Sequence, residues 1–379
     1  MNSIDQYLTT RLTERSRQGL YRNLSAENNL IDFASNDYLG FACSNDLKGV
    51  VKNSEIRVGR FNGSTGSRLI TGNYNFGVEL EEFIANYHKA DAALIFNSGY
   101  DANLGLFSSL PQKGDTVIYD EYIHASIRDG IRLSFASAYS FNHNDVEALK
   151  NKLKKARGRV FVAVESVYSM DGDFAPLTEI CKLCKENNAA LIVDEAHATG
   201  IFGENGAGLV LELGLQKEVF ARIHTFGKAL GCHGAAVLGS ESLKNYLVNF
   251  SRPFIFTTGL PLATLETIKS AYLNLPAAKE NIAKIKDLIQ IFKTKINSSG
   301  HFKLIESNSP IQCIVIPGIE KVKLCAEKIR ASGFDVRAIL SPTVPAGKER
   351  IRICLHSFNN VQEIMGLIDA LNRHHQVMQ

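Results

Sequence analysis

Lys228 sits in HTFGKALG, directly after a short apolar run and between glycines. A lysine there is not obviously on a solvated face. It reads either as a Schiff-base amine or as a surface-loop cation. Asp194 ends the apolar run AALIV, which places its carboxylate at the edge of a buried sheet. Burying that charge alone is costly, so a cationic partner is expected, and a protonated pyridine nitrogen is one. The competing reading is an aspartate that caps the next helix. His197, three residues on, reaches toward a neighbouring ring substituent. Ser98, Gly99 and Tyr100 open a predicted helix after the run AALIF. Glycine there lets backbone N–H groups approach an anion, and the helix dipole favours it. Thr225 lies three residues before Lys228 and adds a hydroxyl toward the same anion. His124 follows another strand and has no obvious metal partners. It either stacks on a planar cofactor or is a satisfied core histidine.

Together these residues supply an anion cradle, a stacking ring, a buried carboxylate and a lysine for an aldehyde. Those are the requirements of a pyridoxal phosphate (PLP) site. No metal site is expected.

The elements that must position them repeat along the middle of the chain. Short apolar runs at 92–96, 115–120, 138–143, 159–166, 189–197, 221–226 and 234–239 alternate with helical periods. Several are apolar on consecutive positions, which suits strands buried on both faces of a mostly parallel sheet. The fold class is therefore α/β, with helices on both faces of the sheet. The large domain is expected over 46–275, a small α+β domain over 276–379, and an N-terminal segment, 1–45, packed with the small one. In such sheets ligands lie beyond the carboxyl ends of the strands, and here polar, glycine-rich segments follow each strand.

Composition sets the limits. The chain has 379 residues, 42 Lys+Arg against 39 Asp+Glu, 45% apolar and 21% charged residues, which is ordinary globular usage. A net charge of +3 argues against an electrostatic nucleic-acid binder. The basic cluster from Lys150 to Arg159 reads as the solvated end of one helix, capped by Asn144 or Asp145 and closed by Gly158. The first residues are too polar for a signal peptide, and no apolar run approaches the roughly 20 residues that span a bilayer. Seven scattered cysteines make no disulfide framework, so a reducing, cytoplasmic setting is expected. Cys181 and Cys184 fall with Leu177 and Ile180 on one helical stripe, which favours core over redox pair or zinc. The glycines of GSTG at 63–66 read as a turn near the site, since the lysine and spacing of a phosphate loop are absent.

NSGYDAN, HASIRDG, VYSMDGD, VDEAHATGIFG, HTFGKALG and SPTVPAGKERIRICL, in this order, closely resemble the α-oxoamine synthases. These are PLP enzymes of the aspartate-aminotransferase fold, and the resemblance runs from about Asn36 to the last helix. It implies that Lys228 holds the cofactor and moves the α-proton, that Asp194 pairs the pyridinium and that His197 contacts the ring hydroxyl. His124 would stack on the ring. Gly99, Tyr100, Ser169 and Thr225 would surround the cofactor. Thr257 and Thr258, in FIFTTGLP, would reach the phosphate from a neighbouring subunit, which implies a homodimer. Arg352 would bind the amino-acid carboxylate, and Thr343 and Asn36 would line the substrate site. Family members carry a substrate-contacting arginine near position 21; here that position is Tyr21, and Arg22 is the candidate.

The length, TGSRLITGN and SPTVPAG are most similar to the branch that joins L-alanine to a pimeloyl thioester with loss of CO₂. The acyl group would arrive on CoA or on an acyl carrier protein. Sibling enzymes use glycine with acetyl-CoA or succinyl-CoA. A catalytically silent partner subunit would be marked by loss of the Schiff-base lysine, and Lys228 is present.

Overall fold

The computed structural model describes residues 2–24, 29–44 and 62–375. The apolar runs form one seven-stranded sheet. Its strands are β2 (Ala92–Phe96), β3 (Thr116–Asp120), β4 (Ser137–Phe141), β5 (Val160–Glu165), β6 (Ala189–Asp194), β7 (Ala221–Thr225) and β8 (Ala235–Gly239). β1 is the short N-terminal strand Ile31–Asp32. The order across the sheet is β2-β8-β7-β6-β5-β3-β4. The pairs from β3 to β7 are parallel, and β8 runs antiparallel to both neighbours. β2 is buried at every residue, as expected of a strand apolar on both faces, and β7 is buried throughout although it carries Arg222 and His224. β4 is the edge strand, and four of its five residues are exposed.

β2, β3 and β4 each lead directly into a helix, and the local sequence starts it. Ser98 caps Gly99–Ser109 by accepting from Asp101 N, and Asp145 caps Val146–Leu153 by accepting from Ala148 N. Asn144 does not cap. Its backbone sits in the left-handed region, φ 57°, and its amide donates to Asp173 Oδ2 and Phe174 O. The basic helix also ends at Leu153, short of Gly158. Cys181 and Cys184 are buried with Leu177 and Ile180 on the helix Leu177–Glu186, as a core stripe requires.

The chain forms two compact units. One holds 36–169 and 173–284; the other holds 1–35, 170–172 and 285–379. The sequence placed the divisions at 45/46 and 275/276. β1 draws the first toward the N-terminus by pairing in parallel with β11 (Phe334–Asp335). The second lies within the unbroken helix Lys279–Ser298, where no composition change marks it. The smaller unit is built on an antiparallel sheet, β12-β13-β10-β9, of β9 (Lys303–Leu304), β10 (Ile311–Val315), β12 (Arg337–Ile339) and β13 (Arg350–Cys354). Its last helix, Val361–His374, opens with a capping box of Asn360 and Glu363.

Candidate active site

A cavity with about 520 Å³ of unfilled space opens beyond the carboxyl ends of β5, β6 and β7. Gly99, Tyr100, Asn103, His124, Glu165, Asp194, Ala196, Ile223, Thr225 and Lys228 line it. Most stand at a strand end or in the turn after one, so the parallel sheet brings together residues far apart in sequence.

Lys228 enters from the turn after β7. Gly231 closes that turn by donating its N–H to Lys228 O at 2.8 Å. Gly231 has φ 61° and packs against the backbone of Phe41 and Ala42, so a side chain there would collide. Lys228 Nζ lies 2.7 Å from His197 Nε2. His197 Nδ1 lies 2.7 Å from the hydroxyl of Tyr38, which is wholly buried and donates to Asn36 Oδ1 at 3.2 Å.

Asp194 is 5% exposed. It does not cap a helix. Its Oδ1 accepts from Ala196 N at 2.9 Å and its Oδ2 from Asn103 Nδ2 at 2.7 Å. Glu165, its register partner on β5, is fully buried. Burial, then the Asp194 charge, push the Glu165 pKa well above the usual carboxylate range, and Lys228 only partly opposes them. Backbone N–H groups of Ser169 and His124 bond the Glu165 carboxyl group.

His124 precedes the helix Ala125–Leu133. Its Nδ1 accepts from Ser126 N at 3.2 Å, so the ring proton sits on Nε2. Burial lowers its pKa and Lys228 adds to this, with Asp194 opposing, which keeps the ring neutral. At the start of the helix Gly99–Ser109, the first N–H groups lie beside Thr225: a Cβ on Gly99 would meet Thr225 Oγ1 at 3.4 Å. Tyr100 is half-exposed and donates its hydroxyl to Asp129.

Thr257 and Thr258 are not among the residues that line this cavity. Thr257 and Thr258 bond Asn97 instead, through Thr257 Oγ1 at 3.0 Å and Thr258 O at 2.8 Å. Thr257 lines a separate hollow with Arg68 and Phe254. Arg22, Thr343 and Arg352 belong to the smaller unit. There the two arginines of RIRICL part company. Arg350 is 1% exposed, forms an ion pair with Asp171 and donates to Met170 O and Lys348 O. Arg352 is 8% exposed and opposite Cys313 and Arg337 in the ladder.

Sequence reasoning passed over Asn103, Glu165 and Tyr38. Glu165 had a signal, since it ends an apolar run as Asp194 does. Asn103 lies four residues after Gly99, on the same helix face. Tyr38 had only its place in SNDYLG beside Asn36.

Two buried carboxyl groups face one lysine, beside open helix N–H groups and a neutral imidazole. That donor set fits PLP: an anion cradle, a partner for a ring cation and an amine for an aldehyde.

The comparisons agree with this geometry. The model of the aminotransferase class I and II family matches residues 28–368, and the chain belongs to that family. An 8-amino-7-oxononanoate synthase of Emericella nidulans is 42% identical over 368 residues, covering 90% of this chain and 88% of its own. A serine palmitoyltransferase from S. paucimobilis, solved with a bound PLP–myriocin aldimine, superposes with a TM-score of 0.90 at 26% identity, covering 100% and 99%. The 8-amino-7-oxononanoate synthase of Francisella tularensis superposes with a TM-score of 0.80 at 28% identity, covering 92% and 98%.

Proposed function

We propose that this chain is a PLP-dependent acyltransferase that condenses L-alanine with a pimeloyl thioester, releasing CO₂ and free thiol and forming 8-amino-7-oxononanoate for biotin biosynthesis. The 42% identity to a synthase of that name, over nearly the whole chain, carries the reading. The cavity supports it through the 2.7 Å approach of Lys228 Nζ to His197, with Asp194 on the same cavity wall.

When bound, PLP supplies an electron sink for the pair left as the α-proton departs. Lys228 provides the amine that holds the cofactor's aldehyde, and once displaced it removes and returns the α-proton. Asp194 holds a proton on the ring nitrogen, which sustains the sink. His124 covers one ring face as a neutral imidazole. The N–H groups of Gly99 and Tyr100, with Thr225, hold the phosphate, and Ser169 and His197 complete the surround. His197 also orients the Lys228 amine. Arg352 binds the amino-acid carboxylate by its planar fork, with Asn36 and Thr343 beside the substrate. Arg22 takes the place of the arginine expected near position 21.

The working form in this reading is a homodimer, in which Thr257 and Thr258 serve the partner's phosphate. The acyl donor is pimeloyl-CoA or a pimeloyl-carrier protein. A cytoplasmic setting accords with seven free cysteines and with the lack, among the described residues, of any helix long and apolar enough to cross a membrane.

A sibling activity is the second reading, favoured by the TM-score of 0.90 to the serine palmitoyltransferase. Incubation of the PLP-loaded protein with alanine, glycine or serine and with pimeloyl, acetyl, succinyl and palmitoyl thioesters separates them. Thiol release is expected fastest with alanine and a pimeloyl thioester. Faster turnover of another pair would overturn the assignment.

A further inference from the structure

Asn103 lines the cavity, 2% exposed, on the helix Gly99–Ser109. Its Nδ2 carries two protons and both are committed. One goes to Asp194 Oδ2 at 2.7 Å, the other to Ser126 Oγ at 3.1 Å. Ser126 is wholly buried and stands 2.7 Å from His124 Nδ1. His124 Nδ1 accepts from Ser126 N and so carries no proton, which makes the Ser126 hydroxyl the donor in its contact with Nδ1. One amide group thus holds the carboxylate on one side and, through a hydroxyl, the imidazole on the other.

The orientation of that amide is forced. Turned over, its oxygen would face the Asp194 carboxylate at hydrogen-bond distance, two acceptors with no proton between them. In the orientation present, Oδ1 is the atom left without a partner among the described residues, a cost accepted so that both N–H groups serve the site. The remaining lone pairs of Asp194 are those not taken by Asn103 and Ala196.

We propose that Asn103 is a positioning residue: its amide fixes the rotation of the Asp194 carboxylate and, through Ser126, the ring of His124, so that the two groups meet the PLP ring in one set geometry. The inference rests on the PLP reading of the cavity and extends it to a residue that does not touch the reacting atoms.

Two variants test it in the PLP-loaded protein. Asn103→Leu is close in size and donates nothing. Asn103→Asp keeps the shape but turns an acceptor on Asp194. In Asn103→Leu, kcat should fall about 10-fold, alanine KM should change by less than about threefold, and the pH midpoint of the bound cofactor's visible band should shift by about half a unit. In Asn103→Asp, PLP should bind about 10-fold more weakly, because two facing carboxyl groups compete for protons. If the leucine variant does not fold, the band and PLP affinity of Asn103→Asp decide alone. Folded variants with native band, midpoint and PLP affinity would overturn the proposal and leave Asn103 a packing residue. Wild-type protein that develops no visible band with PLP would overturn the cofactor reading itself, a result that needs no variant.

Discussion

Glu165 and Asp194 are register partners at the carboxyl ends of neighbouring parallel strands, so two buried carboxyl groups open onto one cavity. They are not equivalent. Asp194 accepts from Asn103 and Ala196, whereas Glu165 Oε1 has no partner among the described residues, and burial, then the Asp194 charge, push the Glu165 carboxyl well above the usual carboxylate range.

That difference predicts unequal sensitivities. Asp194→Asn removes the charge that keeps the ring nitrogen protonated, and kcat should fall about 10²-fold or more, roughly 3 kcal/mol of barrier. Glu165→Gln exchanges a buried carboxyl, whose proton burial favours, for an amide of the same shape, and kcat should fall less than about 10-fold. Steady-state kinetics on both variants checks the pair; equal losses would contradict the assignment of charge.

The two arginines of β13 separate by readout. Arg350→Ala leaves the Asp171 carboxylate buried without its partner, a change that costs about 3 kcal/mol or more in comparable sites. Its effect should appear as a lowered Tm. Alternation along the strand puts both arginines on one face and does not tell which one is bound to a carboxylate. Arg352→Ala should instead raise alanine KM and lower kcat with a near-native Tm. Calorimetry and kinetics on each variant distinguish these outcomes.

His143 makes stability depend on pH. Burial disfavours its charged form, but hydrogen bonds to Asp120 and Asp173 outweigh that and push its pKa up to about 9. The unfolded value is near 6.5, so the folded state binds the proton more tightly. The stabilisation is fully present below about pH 6.5 and is lost as pH rises through about 9. The Tm difference between wild type and His143→Gln should therefore be larger at pH 6 than at pH 10, roughly by the loss of one charge-assisted pair. A difference that does not change between them would contradict this.

Much of the frame was legible because its physics is local. AALIV is apolar on consecutive positions and became a strand of the parallel sheet, as did ARIHT, whose Arg222 and His224 are buried with it. Ser98 and Gly99 mark a helix start by residue type alone. What escaped depends on closeness that no local pattern encodes. Asn103 meets Asp194 across 91 residues and Tyr38 meets His197 across 159, so neither has a periodic signature. Asn144 and Asp145 looked alike as caps until the left-handed backbone of Asn144 turned its amide to Asp173. The division between the two units went unmarked for a related reason: an amphipathic helix that runs through it reads as one element.

The central claim is that Lys228 is the amine that holds PLP. Wild-type protein loaded with PLP, reduced with borohydride, digested and sequenced by mass spectrometry should carry the pyridoxyl group on the peptide containing HTFGKALG, at Lys228, and Lys228→Ala should carry none. A reduced adduct on any other lysine, or one that persists in Lys228→Ala, would contradict the account.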